Sequence, residues 1–155
     1  MMKTYAVKYI ELMERHAEDI AKRWAKDVRS NTKTTYYKFL DEQKIISQCI
    51  KFYHYFSKMY AEEKISEDVL TFFKTYARET YEMGIPLEEA LYALILMRRN
   101  IWLYSEFQSI FTTVIDRLEA IDSLSRAILI FDYAEYQITK DYEELAEEGA
   151  PRKNK

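Results

Sequence analysis

Apolar residues recur at steps of three and four along most of this chain, the interval that gathers side chains on one side of an α-helix. Tyr5, Tyr9, Leu12, His16, Ile20, Trp24 and Val28 form the first such stripe. They predict a helix from about Thr4 to Arg29, which Ser30, Asn31 and Thr32 bring to an end. Thr34 to Leu40 fits either a short helix or an entry segment. Asp41 has the side chain of an N-cap, and Ile45, Ile46, Cys49, Phe52, Tyr53 and Phe56 carry a second helix to about Glu63. A third begins at Ser66, where Glu67 and Asp68 suit the positive end of the helix dipole. Its apolar side is Val69, Phe72, Phe73, Tyr76, Thr80 and Met83, and Gly84 is placed to end it in a left-handed turn. Pro86 opens a fourth helix that runs to about Phe107 with Leu87, Leu91, Leu94, Ile101 and Trp102 inward.

The last segment behaves differently. No glycine or proline interrupts Thr112 to Glu147, and a continuous helix of that length would reach roughly 54 Å. Val114, Ile115, Leu118 and Ile121 give a broad stripe suited to a bundle core. From Ile121 the pattern narrows: Ile121, Leu124, Ile128, Phe131, Glu135, Ile138, Tyr142 and Leu145 alternate in steps of three and four. That is a heptad seam with a single charge in it. Such a seam either pairs with a second chain or lies on its own bundle, and the length favours a second chain.

Five helices in one domain follow, an all-α antiparallel bundle, globin-like or four-helix-bundle-like, with a long C-terminal helix. The expected domain is residues 1–148, with 149–155 a flexible tail. Composition supports this. Only two glycines and two prolines occur in 155 residues, too few for the turns of a β-rich fold. Apolar residues at 48% and charged residues at 32% are the balance of a folded domain. A net charge of −3 gives no general attraction to nucleic acid. The longest apolar run, Ala90 to Met97, is far short of a membrane span. The one cysteine, Cys49, fits a reducing compartment, so a cytoplasmic location is expected.

Chemistry is sparse. His16 and His54 are the only histidines, and neither has the glutamate three residues earlier that a di-iron bundle uses. No histidine follows His54, where a globin's proximal ligand would stand. A metal or cofactor is therefore not expected. His16 lies on the apolar stripe of the first helix and reads as a core-edge residue bonded to a neighbour. Neither histidine is followed by the Lys-Gly of helical phosphotransfer domains, which weakens that alternative. No phosphate loop or nucleophile elbow occurs, since the glycines are Gly84 and Gly149. Arg98 falls in register with Leu91, Leu94 and Ile101, so its stem points inward beside Trp102. It suits a carboxylate of the same chain, or else an anionic ligand or a partner's acid. Trp24, Tyr53, His54 and Trp102 are placed either to line an aromatic ligand pocket between helices or simply to pack the core.

Residues Ala77 to Trp102, ARETYEMGIPLEEALYALILMRRNIW, have a helix ending in glycine, a Pro-Leu-Glu-Glu start, an Ala-Leu core, and arginine followed by an apolar-Trp pair. This pattern resembles the RsbRD N-terminal domain family, over roughly residues 10 to 140. The resemblance implies a dimeric, haem-free, globin-like bacterial input domain of the stressosome or of a sensor kinase. Its last helix would relay a signal to an output domain. A sulfate-transporter/anti-sigma-antagonist domain or a kinase usually follows in such proteins, whereas this chain stops at Lys155. The expected function is thus a non-enzymatic, dimerising signal-input domain with a signalling partner or a fused output domain. A small-molecule-binding bundle and a phosphotransfer module are the alternatives.

Overall fold

A computed structural model describes residues 4–62, 65–107 and 114–152 of the chain. Among them are five α-helices: α1 Thr4–Ser30, α2 Glu42–Glu62, α3 Glu67–Glu82, α4 Leu87–Phe107 and α5 Val114–Glu147. A short 3-10 helix, Thr35–Phe39, joins α1 to α2. The protein is all-helical, with no strand among the described residues. Glu63, Thr112, Lys153, Asn154, Lys155 and the side chains of Tyr5, Tyr9, Val114 and Ile115, all used in the sequence reading, lie outside the described residues.

The helix ends follow local chemistry. The Ser66 hydroxyl accepts from the Val69 amide at 3.3 Å, and the Asp41 carboxylate accepts from the Lys44 amide at 3.0 Å. Gly84 sits at φ +83, where a side chain would be strained. From that position the Ile85 amide reaches back to the Thr80 carbonyl and closes α3. The ambiguous Thr34–Leu40 segment is the 3-10 helix, and it inserts Tyr37 into the core edge-on to Trp24 at 6.1 Å.

The stripes read from the sequence face inward. Ile20, Trp24 and Val28 of α1, all six stripe residues of α2, and Val69, Phe73 and Tyr76 of α3 are buried. Phe52 sits at the centre, with Phe72, Phe73, Tyr76 and Phe131 around it at ring distances of 5.5–6.0 Å. The middle of the core is thus largely aromatic. The inward side of α4 is turned from the expected one. Ala90, Ala93, Leu94, Met97 and Ile101 are buried, while Leu87, Leu91 and Trp102 are half-buried. The small alanines let α1 come close, and the Trp24 indole donates to the Ala93 carbonyl at 2.9 Å.

Pair contacts give the directions. Arg29 meets Glu42 and Lys58 meets Asp68, while Ile85 meets Tyr142 and Arg98 meets Asp132, so α1 with α2, α2 with α3, and α4 with α5 run antiparallel. Phe73 meets Tyr133 and Tyr81 meets Tyr142, so α3 and α5 run parallel. α5 packs against each of the other four helices.

Candidate functional site

α5 is where the fold leaves something unfinished. Its inner side, Ala127, Ile130, Phe131, Ala134, Ile138, Tyr142 and Leu145, is buried. Its outer side carries Leu118 at 62% exposure, Ile121 at 62%, Leu129 at 68% and Tyr136 at 64%. These four share one side of the helix with exposed Ser125 and Asp132. Past Tyr136 the same side turns polar, with Lys140, Glu143 and Glu147 exposed. On neighbouring α4, Leu103 is exposed and Ile95 and Trp102 are half-buried. Large apolar side chains aligned in this way are an uncommon feature of a folded surface.

The heptad seam expected to pair with a second chain is therefore corrected in its composition. Phe131, Ile138, Tyr142 and Leu145 are buried in this chain's own core, Leu124, Ile128 and Glu135 are half-buried, and only Ile121 is exposed. The reason is geometric. A strict heptad repeat on a helix that does not supercoil drifts by about 20° per repeat. The seam consequently starts on the outer side and rotates into the bundle.

Charge gathers at the seam's midpoint. Arg98 is half-buried, with its guanidinium 4.0 Å from the Asp132 carboxylate. It takes a same-chain acid, one of the two roles its register allowed. Glu135 stands beside them with one carboxylate oxygen buried and unbonded. Burial pushes its carboxyl above the usual range, Arg98 pulls it back and Asp132 adds to the rise. One and a half turns on, Asp141 is raised too, first by burial, although the Gln137 amide donates to it at 3.1 Å.

The aromatic residues proposed as a pocket are not brought together. Trp24 and Tyr53 are fully buried, and each donates to a carbonyl of α4: Trp24 to Ala93, and Tyr53 to Met97 at 3.2 Å. They act as pins between helices. His54 is on the solvent side of α2, edge-on to Tyr55 at 5.3 Å. Trp102 is half-buried on α4. Grooves lined by described residues lie at Lys22–Lys26–Arg29–Lys38, at Lys44–Lys51–Glu79 and at Lys74–Arg78–Asp141. None of Trp24, Tyr53, His54, Arg98 or Trp102 lines them.

His16 meets the Tyr104 hydroxyl through Nδ1 at 2.9 Å, with the Arg23 guanidinium over the Tyr104 ring at 5.7 Å. Cys49 is buried and its thiol is pushed well up by that burial, which leaves it a poor nucleophile. Among the described residues no group of three or more histidine, cysteine, aspartate or glutamate side chains could hold a metal ion. Nor is any described helix long and apolar enough to cross a membrane.

One arrangement went unseen in the sequence. The segment after α5, expected to be frayed, is held as far as Arg152, whose side chain docks on the turn between α3 and α4. The only sequence hint was an arginine directly after Gly149-Ala150-Pro151. No family model matches the chain, nor does any curated protein or solved structure.

Proposed function

We propose that this chain is a non-catalytic signal-input domain that pairs with a second copy through the outer side of α5 and relays a change of packing along that helix. The observation that carries the reading is the exposed apolar row Leu118, Ile121, Leu129 and Tyr136 on α5. A two-fold pairing needs a self-complementary surface. This one carries both signs of charge, with Arg99 exposed on α4 and Asp122 and Asp132 exposed on α5. The relay part rests on α5 packing against each of the other four helices, so a repacking in any of them reaches it. A signal must bind two packings unequally to shift them. The likeness of Ala77–Trp102 to the RsbRD N-terminal family agrees with this class of function, with a signalling partner or output domain downstream.

Sedimentation velocity across a range of concentrations tests the pairing. A dimer is expected for the native chain, and a folded monomer of unchanged helicity for Leu129→Glu. A native chain that stays monomeric at the highest concentration reached removes the proposal.

A further inference from the structure

The turn that joins α3 to α4 presents two carbonyls to one side. Gly84, in its left-handed conformation, sits between Tyr81 and Ile85, whose carbonyls Arg152 reaches together. The Arg152 Nε donates to the Tyr81 carbonyl at 3.2 Å and its Nη2 donates to the Ile85 carbonyl at 2.8 Å. Its guanidinium lies over the Tyr81 ring at 4.3 Å and beside the Tyr142 ring at 5.9 Å. Those two rings stand edge to face, 5.4 Å apart, and form a corner around the planar cation. The Tyr142 hydroxyl donates to the same Ile85 carbonyl at 3.0 Å, and the Tyr81 hydroxyl reaches the Ala150 carbonyl at 3.4 Å. Carbonyls and ring faces, rather than a carboxylate, hold the arginine.

We propose that this turn is a guanidinium-binding socket, filled by Arg152 of the same chain, which latches the segment leaving α5 to the α3–α4 turn. The chemistry is specific to the ligand class. Two in-plane N–H donors at a fork suit two carbonyls, and a flat, weakly hydrated cation suits a ring face. A lysine supplies charge for the ring but no fork. The socket's place gives it a consequence. α5 ends in a left-handed Gly149, and the Ala150 amide returns to the Leu145 carbonyl at 3.0 Å. Beyond that cap the path of the chain is set by the α3–α4 turn instead of by the axis of α5. A shift of the turn relative to α5 would therefore redirect the exit segment. The latch lies within one chain and stands independently of the pairing proposed above.

Amide hydrogen exchange and tyrosine ring resonances of Arg152→Ala and Arg152→Lys, read in a Leu129→Glu background, test it without reference to dimerisation. In Arg152→Ala the Gly149 and Ala150 amides should exchange about tenfold faster, the size expected for losing charge-assisted hydrogen bonds at a surface. Mid-helix amides such as that of Ile138 should be unchanged, and the Tyr81 and Tyr142 rings should shift. Arg152→Lys should fall between. Methylguanidinium added to Arg152→Ala should return the ring signals toward their native positions, while leaving the filled native socket unmoved. Unchanged exchange at Gly149 and Ala150, or equal response of native and variant rings to methylguanidinium, would overturn the proposal.

Discussion

From Leu118 to Tyr136 the outward side of α5 carries Leu118, Ile121, Leu129 and Tyr136, whereas from Thr139 to Glu147 it carries Thr139, Lys140, Glu143, Ala146 and Glu147. The inward side changes in the complementary sense. Ile138, Tyr142 and Leu145 are buried against the bundle, while Leu124 is only half-buried. One helix thus has a lower third that is finished by its own chain and an upper part that is not. The difference shows that an uninterrupted apolar pattern does not specify a single partner. The part nearest the α3–α4 turn is apolar only on its inward side, whereas before Tyr136 the outward side is apolar as well and is left uncovered by this chain.

The sharpest way to break that comparison is to remove one large side chain from each part. Ile138, in the lower part, is fully buried. Ile138→Ala should cost about 2–5 kcal/mol of folding stability, the usual cost of such a cavity. Ile121→Ala, measured by urea unfolding at a dilution that keeps the chain monomeric, should stay within about 0.5 kcal/mol. Similar losses at both positions would mean that the upper part is as firmly packed as the lower.

The second comparison runs along the outer side alone. Tyr136 is at the last apolar position and Glu143 lies two turns further on. Tyr136→Ala should weaken self-association by about tenfold, as truncating an aromatic side chain within an interface commonly does. Glu143→Ala should leave it within about twofold, since isolated charges outside an apolar contact contribute little. Analytical ultracentrifugation of the two variants decides it. Equal effects would move the contact down toward the C-terminal end of α5.

Most of this architecture is legible in the residue pattern, for identifiable reasons. Helix ends are set by neighbours in sequence, so Asp41, Ser66, Gly84 and Gly149 mark them without tertiary information. Helix stripes on α2 and α3 are one-sided and face one core. α4 is harder because it is apolar on more than one side, and the alanines facing α1 are chosen for closeness rather than hydrophobicity. The seam on α5 was visible as a seam but not as a crossing from outside to inside, because counting residues by sevens hides the drift against 3.6. The Arg152 socket depends on two carbonyls and two rings from three separate elements, and no local pattern announces such a meeting.

The smallest effect lies where the two parts of α5 join, at Glu135. Its carboxyl is half-buried, has one oxygen without a partner and shares its surroundings with Arg98 and Asp132 from α4 and α5. Burial raises its folded-state value above 4.5, the ordinary value, which the unfolded chain retains. Between those two values the folded chain binds more protons than the unfolded one, so stability rises as pH falls through that window. Above the window the charged carboxylate is a net liability to the fold. Glu135→Gln removes the charge and keeps the shape, and should stabilise the protein by about 0.5 kcal/mol at neutral pH, a modest gain for a part-exposed site. The gain should fade as pH drops toward 4.5, where Glu135 itself becomes neutral in the folded state. Asp141 is raised by burial as well, but it is present in both proteins and cancels in the difference. Urea midpoints of the native chain and Glu135→Gln at neutral and mildly acidic pH read this directly. A variant less stable at neutral pH would show instead that the charge is held by Arg98 strongly enough to outweigh its burial, and the junction would belong with the finished part of the helix.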